Sequence, residues 1–180
     1  PELAQIAQRK GVQMITVHGR TRCQFYTGAA NWAAVRETVD AVLLPVIVNG
    51  DIRDAASAKR ALALSGAHGV MVGRAAMGRP WLPAEIAAAL EGCKWSPPSL
   101  DEQYESLEAQ IADSLVLYGP SLGLRMVRKH VSAAIDHLEV PFTEAQRRAL
   151  RADVCRIETA SELIRALREV YRERIHEELA

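Results

Sequence analysis

The chain has 180 residues, enough for one medium domain or two small ones. Its hydrophobic content of 49% and charged content of 24% suit a globular protein, and no apolar run approaches the ~20 residues of a membrane span. Its 22 basic and 22 acidic side chains give a net charge of +0, so any nucleic-acid binding must come from a local patch rather than an overall field.

The opening residues lack a basic region followed by an apolar one, so they do not read as a signal peptide. They also lack a starting Met and open directly into a helical pattern, which predicts a chain that begins within a longer protein. Cys23, Cys93 and Cys155 lie far apart with no Cys-x-x-Cys or Cys/His ligand spacing, so no metal site is expected. No base lies at local spacing from any of them, and all three read as passive cysteines. Such a sparse, odd count fits a reducing cytoplasm.

In chain order, residues 2–9 read as a helix ended by Gly11, and 12–17 as a strand that becomes β-branched at Ile15, Thr16 and Val17. Residues 32–41 read as a helix with Asn31 as N-cap, and 45–48 as a fully apolar strand. A helix over 54–64 opens at Asp54 and closes at Ser65-Gly66. Residues 69–72 form a third strand, and a further helix begins near Pro80, where proline suits the first turn. Strands alternating with helices, apolar without a period of two, predict a parallel sheet buried on both faces. Three strands are too few for a doubly wound domain and fit consecutive units of a larger barrel.

Residues 92–100, with Pro97, Pro98 and two serines, read as a linker. Beyond it the pattern is purely helical, over 100–117, 122–137, 144–155 and 161–179. Pro141 separates the second and third of these helices, Thr143 is expected to cap the third, and Ser161 the fourth. In the last, Leu163, Ile164, Leu167, Val170 and Tyr171 form one apolar face, as in a small bundle. The fold class is therefore α/β plus all-α: the C-terminal part of a TIM (β/α)8 barrel over 1–92, followed by a helical domain over 100–180.

Chemistry is expected where strands end, because ligands of parallel β/α proteins sit at the carboxyl ends of the strands. The first strand ends in His18-Gly19-Arg20-Thr21, the second in Asn49-Gly50-Asp51 and the third in Gly73-Arg74. Asn49-Gly50-Asp51 precedes a helix N-terminus, which suits a phosphate, although alone it reads as an ordinary βα turn. Gly73 gives backbone access and Arg74 a fixed cation. Together the two turns match the phosphate site that the last loops of such barrels form with a short extra helix, here expected over 75–79.

His18 can bond a ligand, act as acid or base, or be satisfied by backbone. Arg20 and Arg22, interleaved with Gln24, Phe25 and Tyr26, can meet phosphates and stack on bases, or form a solvated, partly packed loop. Arg125, Arg128 and Lys129 share one helix face and are a candidate footprint for an RNA backbone. Arg147, Arg148 and Arg151 form a second stripe, read as a solvated face.

These motifs together resemble the tRNA-dihydrouridine synthases. The resemblance rests on His18-Gly19-Arg20-Thr21-Arg22 with Gln24, Tyr26, Gly28 and Trp32. It continues through Pro45-Val46-Ile47 and Asn49-Gly50-Asp51-Ile52, then 69–74 with Gly78 and Pro80-Trp81, and Arg128-Lys129-His130, which is nearest the bacterial B-type. It implies an FMN-binding barrel joined to a helical tRNA-binding domain, with NADPH reducing FMN and reduced flavin delivering hydride to a uridine of tRNA. It implies that His18 contacts FMN and that Asn49, Gly50, Asp51, Gly73 and Arg74 hold the FMN phosphate.

The family's general acid, a cysteine in an Asn-x-Gly-Cys-Pro motif, and its Lys-x-Arg-x-Gly flavin contact do not occur in this sequence. In the family both precede the segment that resembles this chain, so no catalytic residue is assigned and the chain alone is expected to be inactive. Two other readings stay open: another FMN barrel oxidoreductase acting on a small molecule, and a non-enzymatic RNA-binding or regulatory protein.

Overall fold

Three parallel strands organise the first part of the chain. β1 (Ile15–His18), β2 (Val46–Asn49) and β3 (Gly69–Met71) lie in the order β1-β2-β3, with Ile15 opposite Val46, His18 opposite Asn49, and Asn49 opposite Met71. That register brings the carboxyl ends of all three strands to one edge. The computed structural model describes residues 1–25 and 27–174, with side chains to Tyr171. Tyr26 and the expected helical continuation to 179 lie outside the described residues.

The chain divides into two units: Pro1–Ala76 with Pro80–Ser96, and Met77–Arg79 with Pro97–Ala180. In the first, α1 (Glu2–Arg9) precedes β1. A 3-10 turn, Ala33–Val35, runs into the short α2 (Arg36–Asp40); α3 (Ala55–Ser65) joins β2 to β3, and α4 (Leu82–Glu91) follows. Val46 and Val48 of β2 face a core with Val35, Ile52, Ala58, Ala61, Leu82 and Ile86. Ala58 and Ala61 of α3 are fully buried in that core, so the helix packs there through its small side chains.

α3 has clear start and stop chemistry. The Asp54 carboxylate accepts from Ser57 N at 2.7 Å, Ser57 Oγ accepts from Asp54 N at 3.0 Å, and Gly66 ends the helix at φ 65°. Several expected bounds shift. The strand expected over 12–17 begins only at Ile15, where its partner β2 begins, because a strand without a neighbour has no ladder to join. The helix expected over 32–41 starts as a 3-10 turn, with Asn31 Oδ1 accepting from Ala34 N at 3.2 Å. The helix expected near Pro80 starts at Leu82 and places Pro83 in its first turn. The expected short helix over 75–79 is a single 3-10 turn, Arg74–Ala76.

Burial on both sheet faces is not observed among the described residues. Helices cover the side of Val46 and Val48, whereas Thr16, His18 and Met71 are exposed.

The second unit contains α5 (Leu100–Tyr118), α6 (Pro120–His137), α7 (Glu144–Arg156) and α8 (Ala160–Arg168), continued by a π-helical turn over Glu169–Arg174. One core joins them, with Tyr104 and Ile111 of α5, Val127 and Ile135 of α6, Val154 of α7, and Leu163 and Leu167 of α8. α5 and α6 touch backbone to backbone at Gly123. Ser114 Oγ donates to Gly123 O at 2.9 Å, and a Cβ at Gly123 would fall on the Ser114 carbonyl. Ser99 and Thr143 cap α5 and α7. α8 is capped by Thr159, whose Oγ1 accepts from Glu162 N at 3.3 Å; Ser161 already lies inside the helix, so it cannot be the cap.

Candidate functional site

The three strand ends open into one cavity of about 530 Å³, bordered by His18, Arg20, Asn49, Gly50, Asp51, Ile52, Arg53, Gly73, Arg74 and Ala75. The six candidate cofactor residues, His18, Asn49, Gly50, Asp51, Gly73 and Arg74, therefore meet at a single place. Strand pairing accounts for it: His18 and Asn49 are register partners, and the Asn49 side-chain amide donates to Met71 O at 2.9 Å, tying the ends of β2 and β3 together.

Gly50 adopts φ 111° and is buried; a Cβ there would come within 2.7 Å of the His18 imidazole and 2.9 Å of Ala30 Cβ. Only glycine allows the chain to turn beneath His18. Gly73 differs: a Cβ there would meet nothing within 4 Å, so its backbone faces open space at the cavity wall. Arg74 begins the following 3-10 turn with its side chain 62% exposed, and its Nη2 lies 3.9 Å from Asp51 Oδ1.

Asp51 is the hub of the loops. Its Oδ2 accepts from Arg20 Nη2 at 2.6 Å and from Ala30 N at 2.8 Å, and its backbone lies at φ 55°. Burial alone would raise its pKa, but the hydrogen bonds from Arg20 and Ala30 and the charges of Arg20 and Arg53 outweigh it and hold the carboxyl below its usual value. A carboxylate so engaged does not hold a phosphate with its oxygens; the part of Asp51 suited to an anion is its backbone N–H.

Arg20 is placed differently from its sequence reading. Its side chain is 4% exposed, and Nη2 bonds Asp51 and, at 2.7 Å, Gly28 O. Arg22 is exposed at the start of a 3-10 turn over Arg22–Gln24, where Gln24 Oε1 accepts from Thr21 N at 2.8 Å and from Thr21 Oγ1 at 3.2 Å. Phe25 beside it is 75% exposed. Two contributors were given no role at the site by the sequence reading, although Trp32 was among the residues of the resemblance. Arg53 borders the cavity directly after the Asn-Gly-Asp turn, a basic residue whose position was its only signal. Trp32 Nε1 donates to Gly50 O at 2.8 Å and so fixes the turn.

In the helical unit the basic face of α6 is divided. Arg125 and Lys129 are exposed, but Arg128 turns its Nη2 onto Ile157 O at 2.7 Å, at the end of α7, with its Nε buried. Arg125 and Arg128 border a groove of about 510 Å³ together with Ser121, Glu158 and Thr159. Arg147 and Arg151 of the second stripe are also not simply solvated. Arg147 donates to three carbonyls, and Arg151 pairs with Asp136 and Glu144. Arg148 is exposed.

Cys23 and Cys93 are exposed, and Cys155 is half-buried. Among the described residues no group of His, Cys, Asp and Glu could hold a metal ion, and no helix is long and apolar enough to cross a membrane.

Residues 1–175 match the family model described as dihydrouridine synthase (Dus). The chain is 46% identical over 175 residues to a probable tRNA-dihydrouridine synthase of Rhodobacter capsulatus, covering 96% of this chain and 51% of that protein. It is 51% identical over 132 residues to a probable tRNA-dihydrouridine synthase of Rickettsia prowazekii, covering 73% of this chain and 40% of that protein. It is 40% identical over 167 residues to tRNA-dihydrouridine synthase B of Escherichia coli K12, covering 92% and 50%. The chain thus spans about half the length, or less, of these curated relatives. With a family model matching nearly its whole length and relatives of this identity, the chain belongs to the dihydrouridine synthase family.

Proposed function

We propose that this chain supplies the phosphate end of the FMN site and the RNA-binding helices of a cytoplasmic, NADPH-dependent tRNA-dihydrouridine synthase, with its strands forming the last units of a (β/α)8 barrel. The observation that carries the reading is the convergence of the β1, β2 and β3 ends on one cavity. That cavity fits a phosphate: Gly73 offers open backbone, Arg74 and Arg53 offer charge, and Gly50 brings the chain close beneath His18. Bound and reduced, FMN would supply hydride to the uracil ring.

The chain's own residues bind and orient. Asn49, Gly50, Gly73 and Arg74 hold the phosphate end, with Asp51 contributing its backbone. His18 contacts the flavin nearby. Arg22 meets RNA from the exposed loop, and Arg125, Arg128 and Lys129 meet its backbone from α6. The target base must leave its stack to reach a flavin.

The test of the activity is tRNA-dependent NADPH oxidation by the full-length protein, with dihydrouridine formed in the tRNA; oxidation without tRNA dependence would reject it. Arg74→Ala is expected to weaken FMN binding in a fluorescence titration by roughly 1.5–3 kcal/mol, the worth of a charge-assisted hydrogen bond. Unchanged affinity would remove Arg74 from the site.

Arg125→Ala and Lys129→Ala are each expected to lower the slope of log K against log salt for tRNA by about one unit, leaving stability unchanged. Arg128→Ala should lower both, because its guanidinium also holds the end of α7. Slopes equal to wild type in all three would reject the footprint.

A further inference from the structure

The groove at the start of α6 and the turn from α7 into α8 carries two opposite charges that do not pair. Arg125 and Glu158 both border it, and neither makes an ion pair or a side-chain hydrogen bond to the described residues. Pro120, Leu124 and Ala160 give the same groove an apolar wall. Its volume of about 510 Å³ lies in the ordinary range of small-ligand sites. The turn that carries Glu158 is held on both sides. Arg128 donates to Ile157 O at 2.7 Å just before it, and Thr159 caps α8 just after it, with Oγ1 accepting from Glu162 N at 3.3 Å. α6 starts at Pro120 with no side-chain cap among the described residues, so its first N–H groups stay open to an anion.

Glu158 is the unexpected member of this group. A free carboxylate beside an RNA backbone repels phosphate, unless the ligand also brings hydrogen-bond donors to it. The groove therefore asks for an anionic group to meet Arg125, a flat apolar body to lie on the wall, and N–H groups to meet Glu158. An unstacked nucleotide has all three, and single-stranded RNA is read through splayed bases bonded on their Watson–Crick edges. Guanine suits a carboxylate best, because its N1–H and its N2 amino group lie side by side and can donate to both oxygens. Adenine and cytosine set their amino group beside a bare ring nitrogen. Uracil sets its single N–H between two carbonyl oxygens, which a carboxylate repels. Resting on the RNA reading of α6 above, we infer that this groove takes one unstacked guanine nucleotide of the tRNA. Glu158 bonds the Watson–Crick edge of the base, Arg125 meets the phosphate, and Arg128 positions Glu158 by holding Ile157 O.

The experiment measures binding of an unmodified tRNA transcript to the full-length protein at fixed salt. If Glu158 merely stands near the backbone, Glu158→Gln removes a repulsive charge and tightens binding. If Glu158 holds guanine, the same change weakens binding by about tenfold, as the loss of one bidentate base contact does. Kethoxal, which attacks N1 and N2 of unpaired guanines, gives the second readout. One guanine protected by saturating wild type should become reactive in the Glu158→Gln complex. Glu158 has no bond within the described residues to lose, so the urea midpoint should not move. Should it fall, inosine in place of the protected guanosine makes the same test on wild type: it lacks the N2 amino group, and binding should weaken.

Lys129→Ala separates this site from the reading beneath it. If Lys129→Ala leaves the salt dependence unchanged and Glu158→Gln leaves the affinity unchanged, α6 does not meet RNA and that reading fails. If Lys129→Ala lowers the salt slope while Glu158→Gln tightens binding or leaves it unchanged, the backbone contact stands and the guanine site is overturned. Weaker binding of Glu158→Gln with no guanine changing in reactivity, or full affinity for the inosine transcript, would overturn it as well.

Discussion

Gly50→Ala is expected to destabilise the protein by roughly 2–4 kcal/mol and to abolish tight FMN binding. Two independent costs act at this position. The backbone sits at φ 111°, beyond the left-handed well that an L-residue can occupy, so a side chain is strained whatever room it finds. It finds little room, since the new methyl would lie 2.7 Å from the His18 ring and 2.9 Å from Ala30 Cβ. Neither neighbour yields easily. His18 ends β1 in register with Asn49, and Ala30 N is held by Asp51. The turn cannot shift outward either, because Trp32 Nε1 holds Gly50 O at 2.8 Å.

The two costs separate in a double variant. His18→Ala removes the ring that the methyl strikes but leaves φ untouched. Gly50→Ala in a His18→Ala background should therefore cost less than in wild type, by a coupling above the ~0.5 kcal/mol expected of independent sites. Urea midpoints measure both. A midpoint unmoved by Gly50→Ala would mean that the turn relaxes freely and that the strand ends are not the rigid frame described above.

What could be read in advance follows from how local the physics is. Asp54 opening α3, Gly66 closing it, and the Asn-Gly-Asp turn at a strand end each depend on a few consecutive residues, and each appears near its expected place. The meeting of Gly73-Arg74 with Asn49-Gly50 also followed from sequence, because a strand–helix alternation implies parallel strands with aligned ends. Long side chains were not legible. Arg20 and Arg22 are two residues apart in one basic loop, yet one is nearly buried on Asp51 and the other exposed. Arg125, Arg128 and Lys129 share a helix face by spacing, yet Arg128 turns to a carbonyl 29 residues away. Sequence spacing fixes where a Cα lies on a helix; the destination of a guanidinium several bonds further out depends on tertiary neighbours. The exposure of Thr16, His18 and Met71 was not legible for a related reason: apolar runs report that β2 is packed, but not what meets the other face of the sheet.

The second large effect is expected in the helical unit, where Arg147→Ala should cost about 3 kcal/mol while Arg148→Ala, one residue along, stays within about 0.5 kcal/mol. A helix leaves its last carbonyls without partners inside the helix, and they carry the negative end of its dipole. α6 ends at His137, and the chain then runs through Leu138 and Val140 to Phe142 before α7 begins. Arg147 reaches back from α7 and donates from Nη1 to Ile135 O at 2.8 Å, and from Nη2 to Leu138 O at 2.7 Å and Val140 O at 3.0 Å. Its guanidinium carbon also lies 6.0 Å from the Phe142 ring centroid, within cation–π range. One side chain thus closes the end of α6 and fixes the path of the connection into α7. Alanine would take this donor from Leu138 O and leave Ile135 O and Val140 O only their backbone donors, Leu138 N at 3.4 Å and Phe142 N at 2.8 Å, beside a core that includes Ile135 and Leu138. Lysine should recover less than half of the loss, because a single ammonium cannot span three carbonyls as a planar fork does. The readouts are the denaturation midpoint and hydrogen exchange at the amides of 138–147, which should lose protection in Arg147→Ala alone. Equal midpoints and equal exchange in the Arg147 and Arg148 variants would show that the three hydrogen bonds add nothing that water does not replace.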